Sequence, residues 1–289
     1  MIHYLPTIRS QEQGFTNLAI LAVEAKELTS SRLEVDFSRC GFFDANMAAP
    51  LAAILARVAD AFNAVTVVNV PSAIERILRK NRFLAGYGYA PMDDANRTTL
   101  PFRRIQLSEQ GLFADYLEQH MNGKGIPRMT EGLGKVFRQS IFEVFQNTVI
   151  HSASPFGAFV CGQFYPQYQR LDLTISDAGV GIRTNVRRYL GQAISSVEAI
   201  RWALQDGNTT KTGSQPGGVG LKFLHDFVAL NQGKIQIASR LGFYEYRDGK
   251  ETFKKLAADF PGTTVNLEIN TGDTSAYRLN SEITAKDIF

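Results

Sequence analysis

The chain has 289 residues, 44% of them apolar and 20% charged, with a formal charge of +3. These proportions are those of a folded globular protein and exclude a disordered or low-complexity chain. The length favours two domains over one, and the basic residues, scattered except at 76–82 and 103–104, form no stripe for nucleic acid.

Two cysteines, Cys40 and Cys161, are too few for a metal site. Both lie in apolar, strand-like runs where a free thiol behaves as a small hydrophobe, which fits a reducing cytoplasm. Residues 1–14 lack the charged lead and apolar run of a signal peptide. The most apolar stretch, 47–70, is interrupted by Arg57, Asp60 and Asn63, so no membrane span is expected.

In chain order, "LEVDF" at 33–37 alternates like a half-buried strand, and 47–62 has helix-forming composition. The β-branched run 64–70 predicts a second strand, and 71–84 a proline-started helix with i, i+3, i+4 apolar spacing. This β-α-β-α series forms a first domain over 1–97. Gly, Pro, Asp, Asn and Thr concentrate at 86–101, the expected linker. A second domain over 98–270 opens with a strand at 102–107, a helix at 108–121 and a long helix at 129–151. Strands 156–165 and 170–179 should pair antiparallel, with Leu171, Leu173 and Ile175 on one face and Asp172, Thr174 and Ser176 on the other. The polar, Gly-rich segment 182–217 contains one helix-like piece, 196–207. A helix from 219 ends with Gly233 at C′, strands follow at 234–239 and 263–270, and 271–289 reads as a polar tail.

Three motifs carry chemistry. In "FEVFQNTVIH", 142–151, Glu143, Asn147 and His151 form a slanted polar row about 80° wide on a helix that is otherwise apolar. Such a row either faces water or finds partners for each buried polar group. "SDAGVGI", 176–182, places Asp177 after a strand with Gly179 and Gly181 behind it. A carboxylate there can accept a hydrogen bond from an exocyclic amine, while a tight turn is the plainer reading. Thr184 stands where a dinucleotide fingerprint needs its third glycine. "QPGGVGLKFL", 215–224, runs a Gly-rich loop into a helix. That suits phosphate binding or a simple flexible entry, and no Walker A sequence occurs in the chain.

In this order the three motifs resemble the N, G1 and G2 boxes of the GHKL ATP-binding superfamily, and "PGTTV", 261–265, resembles its Gly-Thr box. The resemblance covers about 102–270. It implies an α/β (α+β) protein whose second domain is a Bergerat-type sandwich with helices on one face of a mixed, largely antiparallel sheet. It further implies ATP and Mg²⁺ as cofactors. Asp177 would bind the adenine amine, Gly179 and Gly181 would admit base and sugar, and Asn147 would hold Mg²⁺. Glu143 would be the catalytic carboxylate, Gly218 and Gly220 would contact the triphosphate, and Thr264 would support the adenine end. Lys211, in "TTK", would reach a phosphate, and His151 would either meet a phosphate or cap helix carbonyls.

"LEVDFSRCGFFDANMAAPLAAIL" resembles the STAS fold of anti-sigma-factor antagonists, with Asp44 kept but Asn46 where the phosphorylatable serine would stand and Met47 in place of glycine. Of His3, His120, His151 and His225, none lies in an H-box context, so autophosphorylation on histidine is not expected. The resemblance implies a cytoplasmic Mg-ATP-binding ATPase whose lid, 182–217, controls a contact with a protein partner, of STAS type or another regulator. Homodimers are frequent among its relatives. Two alternatives stand beside it: an anti-sigma-factor-type serine/threonine kinase acting on a separate STAS partner, and a non-catalytic nucleotide-binding scaffold.

Overall fold

The structure is a computed structural model and describes residues 1–106, 108–205, 207–208 and 219–282. The chain begins with strand β1 (Ile2–Tyr4), helix α1 (Glu12–Glu24), β2 (Arg32–Asp36), α2 (Ala48–Asp60), β3 (Ala64–Val68) and α3 (Ser72–Lys80). The three strands form a parallel sheet in the order β1-β2-β3. Neither β1 nor α1 was anticipated. The signal for α1 was present in Phe15, Leu18, Ala19 and Ala22 at i, i+3, i+4 and i+7. The expected linker is tied down at its end, where Asp94 accepts hydrogen bonds from the Thr99 amide and hydroxyl.

The second half adds β4 (Thr99–Ile105), α4 (Gln110–Met121), β5 (Arg128–Met129), α5 (Glu131–His151), β6 (Ala158–Tyr165) and β7 (Arg170–Ser176). Then follow α6 (Ile182–Leu190), α7 (Ser196–Leu204), α8 (Val219–Asn231), β8 (Lys234–Arg247), β9 (Lys250–Asn270) and β10 (Ala276–Tyr277). The five long strands form one sheet in the order β4-β6-β7-β9-β8. All four pairings are antiparallel, so the expected mixed sheet is not found; parallel pairing is confined to the N-terminal sheet and to the short β5–β10 pair. Strands β8 and β9 extend well beyond the predicted 234–239 and 263–270. They close through Asp248 (φ 51°) and Gly249 (φ 73°), an Asp-Gly pair suited to a two-residue hairpin turn and visible in the sequence.

Helices α4, α5 and α8 share an apolar core with one face of this sheet, built on Phe113, Phe137, Phe145, Leu173, Leu224 and Ile235. The other face is covered too. Helix α1 packs on β9, and α2 on β6 and β7, so a single core joins Phe15, Leu51 and Leu55 to Phe159, Phe243 and Phe260. The molecule is thus layered as sheet, helices, sheet, helices, whereas helices on one face only were expected. Being covered from both sides explains why α2 buries all of its first eight residues, 48–55, Pro50 among them.

Across its middle the covered face of the sheet is polar, and the contact there is correspondingly hydrogen-bonded. Asp172, Thr174 and Ser176 share the face predicted for them, but all three are fully buried. Asn46, also fully buried, donates through Nδ2 to Thr174 Oγ1 (2.9 Å), Asn266 Oδ1 (3.0 Å) and Ser10 Oγ (2.9 Å). Thr174 donates to Asn266, Asn266 to Gln236, and Gln236 to the Ser10 carbonyl. Arg170 and Lys234 carry charge into the same layer, where Asp44, Asp172 and Glu268 face them.

Three further expectations change. Segment 182–217 is not uniformly polar: α6 and α7 bury Val186, Ala199 and Ile200, and α7 packs on β8. The left-handed residue after α8 is Gln232 (φ 56°), not Gly233. A Cβ on Gly233 would lie 2.3 Å from the Glu268 carbonyl, so glycine is required there by the approach of β9. The tail folds back as far as it is described: β10 pairs with β5, and the Thr130 hydroxyl, at the N-cap of α5, donates to Glu282. Cys40 and Cys161 are buried free thiols, pushed up by burial to about 11 and about 12. Among the described residues no helix is long and apolar enough to cross a membrane.

Candidate ligand cleft

The loop after β7 is pressed against the end of α5. Val180 N–H donates to the Ser152 carbonyl (2.8 Å), and a Cβ on Gly179 would lie 1.9 Å from that oxygen. Gly179 therefore answers a chain-to-chain approach rather than a ligand. Gly181 (φ 78°) precedes α6 and does line the cleft. This packing brings Asp177, at the end of β7, beside the last turn of α5.

Helix α5 presents Val144, Asn147, Thr148 and His151 to the cleft, an i, i+3, i+4, i+7 stripe. Glu143 lies one residue around and is not part of it. The polar row drifts about 40° per four residues, enough to carry Glu143 off the face that His151 shares. Its Oε2 accepts a hydrogen bond from Gly220 N–H (2.8 Å) at the start of α8, where a carboxylate meets the positive end of the helix dipole. A Cβ on Gly220 would come within 2.5 Å of that oxygen.

The cleft encloses about 900 Å³ when its open mouth is counted. Its walls are largely apolar, with Ile182, Trp202, Leu221, Ile237 and Val265 among them. Asp177 is buried, its Oδ1 accepts from Gly179 N–H (2.8 Å), and its own N–H donates to the Thr263 carbonyl (2.8 Å). Burial pushes its carboxyl up to about 7, with the backbone donors opposing. Gly262 (φ 81°) fits beneath it, since a Cβ would lie 2.2 Å from the Asp177 carbonyl. Asn185, on α6, donates to the His151 carbonyl (2.8 Å) and closes one side of the cleft.

Of the predicted residues, Asn147, His151, Asp177 and Gly181 are brought together. Thr264 is not. It is fully buried on the opposite face of β9, bonded to Ser176 (2.6 Å), because side chains alternate along a strand. Its neighbour Thr263 lines the cleft instead. Lys211 and Gly218 lie outside the described residues. Trp202, Asn185 and Thr148 were missed, although the only tryptophan of the chain, on an amphipathic piece between two glycine motifs, was a signal for Trp202. Among the described residues no group of three or more His, Cys, Asp or Glu could hold a metal ion. Neither a family model nor a curated protein matches this chain.

The arrangement suits a flat, partly polar heteroaromatic ring. A single carboxyl group on an apolar floor selects a donor such as an exocyclic amine, and the walls exclude competing water. An ion arriving with a charged ligand would find the Asn147 amide as a hard oxygen donor, with most of its coordination left to the ligand and water.

Proposed function

We propose that the chain binds ATP in this cleft and hydrolyses it as a GHKL-type ATPase, with nucleotide state governing a contact to a protein partner. One observation carries the reading: the buried Asp177 carboxyl lies on the apolar floor while Asn147 and His151 line the same cleft from α5. Asp177 would hold the adenine amine, Asn147 would contribute a ligand to Mg²⁺, and Thr263 takes the supporting role first given to Thr264. Mg²⁺ supplies charge neutralisation along the phosphates when bound. The expected lid, 182–217, includes α6 and α7, and residues 206 and 209–217 of it lie outside the described residues.

Calorimetric titration with Mg-ATP, together with phosphate release, tests this reading. Saturable binding with turnover is expected, and absence of binding would sink it. Thr263→Val should weaken ATP several-fold and cost about 1 kcal/mol of stability, because its hydroxyl also bonds Ser239 (3.0 Å). Thr264→Val should lower stability by about 1–2 kcal/mol and leave affinity alone, because it strands the Ser176 hydroxyl. Equal effects on affinity would show that the face assignment is wrong.

The scaffold alternative is favoured by a specific contact, since Glu143 is engaged with Gly220 rather than directed into the cleft. Glu143→Ala separates the two. For an ATPase it should keep ATP affinity within about threefold and lose phosphate release, with about 1 kcal/mol of stability lost at the start of α8. A scaffold shows no release to lose. Transfer of labelled phosphate to a partner serine would identify the kinase alternative.

A further inference from the structure

A second cavity, sharing no lining residue with the cleft, lies at the edge of the sheet between α2 and β4 and encloses about 740 Å³ including its mouth. Its walls are aromatic. Phe83 meets Tyr87 (ring centroids 5.2 Å) and stands edge-on to Phe102 (5.5 Å), which stacks with Phe159 (6.3 Å). On the α2 side the lining residues include Ala52, Ala56 and Ala59, whose i, i+4, i+7 spacing puts three methyl groups where larger side chains would close the space.

Two polar groups stand at the mouth of this apolar volume, the exposed Arg104 and the half-buried Tyr87. Arg104 lines it with its guanidinium 5.8 Å from the Phe156 and Phe159 rings. Its Nε donates to the Phe156 carbonyl (2.6 Å), which fixes the plane of the group. Neither Nη has a hydrogen-bond or ion-pair partner among the described residues. The Tyr87 hydroxyl likewise has none there, and burial alone raises its pKa. A phenol hydroxyl and a fixed fork of N–H donors at the mouth of one apolar space are complementary to a ligand with an apolar body and a planar anionic head.

We propose that this cavity is a binding site for a small amphipathic carboxylate, aryl or alkyl, whose body lies among the rings and whose carboxylate pairs with Arg104 and accepts from Tyr87. A single guanidinium matches one carboxylate. Among the described residues no second cation lines the cavity to receive the double charge of a phosphate monoester.

The test is calorimetric titration of the full chain with octanoate, and with octanol as the neutral counterpart. Saturable octanoate binding is expected, at least tenfold tighter than octanol. Arg104→Gln should remove that preference and leave octanol binding unchanged. Ala56→Leu and Ala59→Leu should each fill the cavity and weaken octanoate at least tenfold, and Ala59, at the exposed end of the stripe, remains informative if Ala56→Leu does not fold. No octanoate binding, equal affinity for octanol, or unchanged affinity in both leucine variants would overturn the proposal.

Discussion

Replacing Arg170 with methionine should destabilise the protein by about 3–5 kcal/mol near pH 9, because it strands carboxylates in a buried layer. The guanidinium lies 3.2 Å from both Asp44 and Asp172 and 3.8 Å from Glu268, and stacks on the Tyr165 ring at 4.4 Å. Lys234 remains on Glu268 (2.9 Å), so Asp44 and Asp172 bear the loss. The urea midpoint should fall with an unchanged slope. A drop below about 1 kcal/mol would mean that water reaches the layer.

This penalty should also depend on pH. Burial pushes Asp172 up to about 8 even with Arg170 close by, and neither carboxyl oxygen receives a hydrogen bond, so the contact is a poor ion pair. For an acid whose folded pKa is raised, the stabilising contribution is complete below the unfolded value near 4 and is lost as pH rises toward 8. Near pH 6 Asp172 carries a proton with or without Arg170. Toward pH 9 only the arginine makes the ionised form tolerable, so the cost of Arg170→Met should grow between these limits. A flat difference would place Asp172 out of ionic reach of Arg170.

Asp177→Asn should have opposite effects on stability and on binding. With the folded carboxyl near 7 against an unfolded value of 3.8, stability attributable to Asp177 is present at low pH and lost as pH rises through about 7. At pH 8 the amide should therefore raise stability, by at most about 4 kcal/mol, since it still accepts from Gly179 N–H while shedding the buried charge. ATP affinity should fall roughly 10- to 100-fold, as a charge-assisted hydrogen bond to the adenine amine is lost. In the unaltered protein ATP should bind more tightly as pH rises from 6 to 8, because the carboxylate is the better acceptor. Higher stability with unchanged affinity would remove Asp177 from ATP recognition and leave its buried charge as a purely structural cost.

Much of the candidate site was legible because it is assembled from local signals. A four-residue spacing on α5 put Asn147 and His151 in one polar row, and an acid followed by glycines marked the turn after β7. What was misplaced fails for geometric reasons. Thr263 and Thr264 read alike until the register of β9 assigns them to opposite faces, with Thr264 paired across to Ser176. Glu143 belongs to the same polar row as Asn147, yet the pitch of the helix turns it toward α8. The Asp-Gly turn and the apolar spacing of α1 are equally local signals.

The sequence by itself determined the elements: periodicity and caps placed most helices and strands, and alternation in β7 divided Leu171, Leu173 and Ile175 from Asp172, Thr174 and Ser176. It did not determine what lies against the second set. Only the tertiary structure decided that this polar face is buried under α1 and α2, and that Asn46 bonds across 128 residues to Thr174 and across 220 to Asn266. The reason is physical. Alternation records which side chains share a face, whereas a hydrogen-bonded layer depends on donors and acceptors meeting across the fold, and that matching leaves no period in the chain.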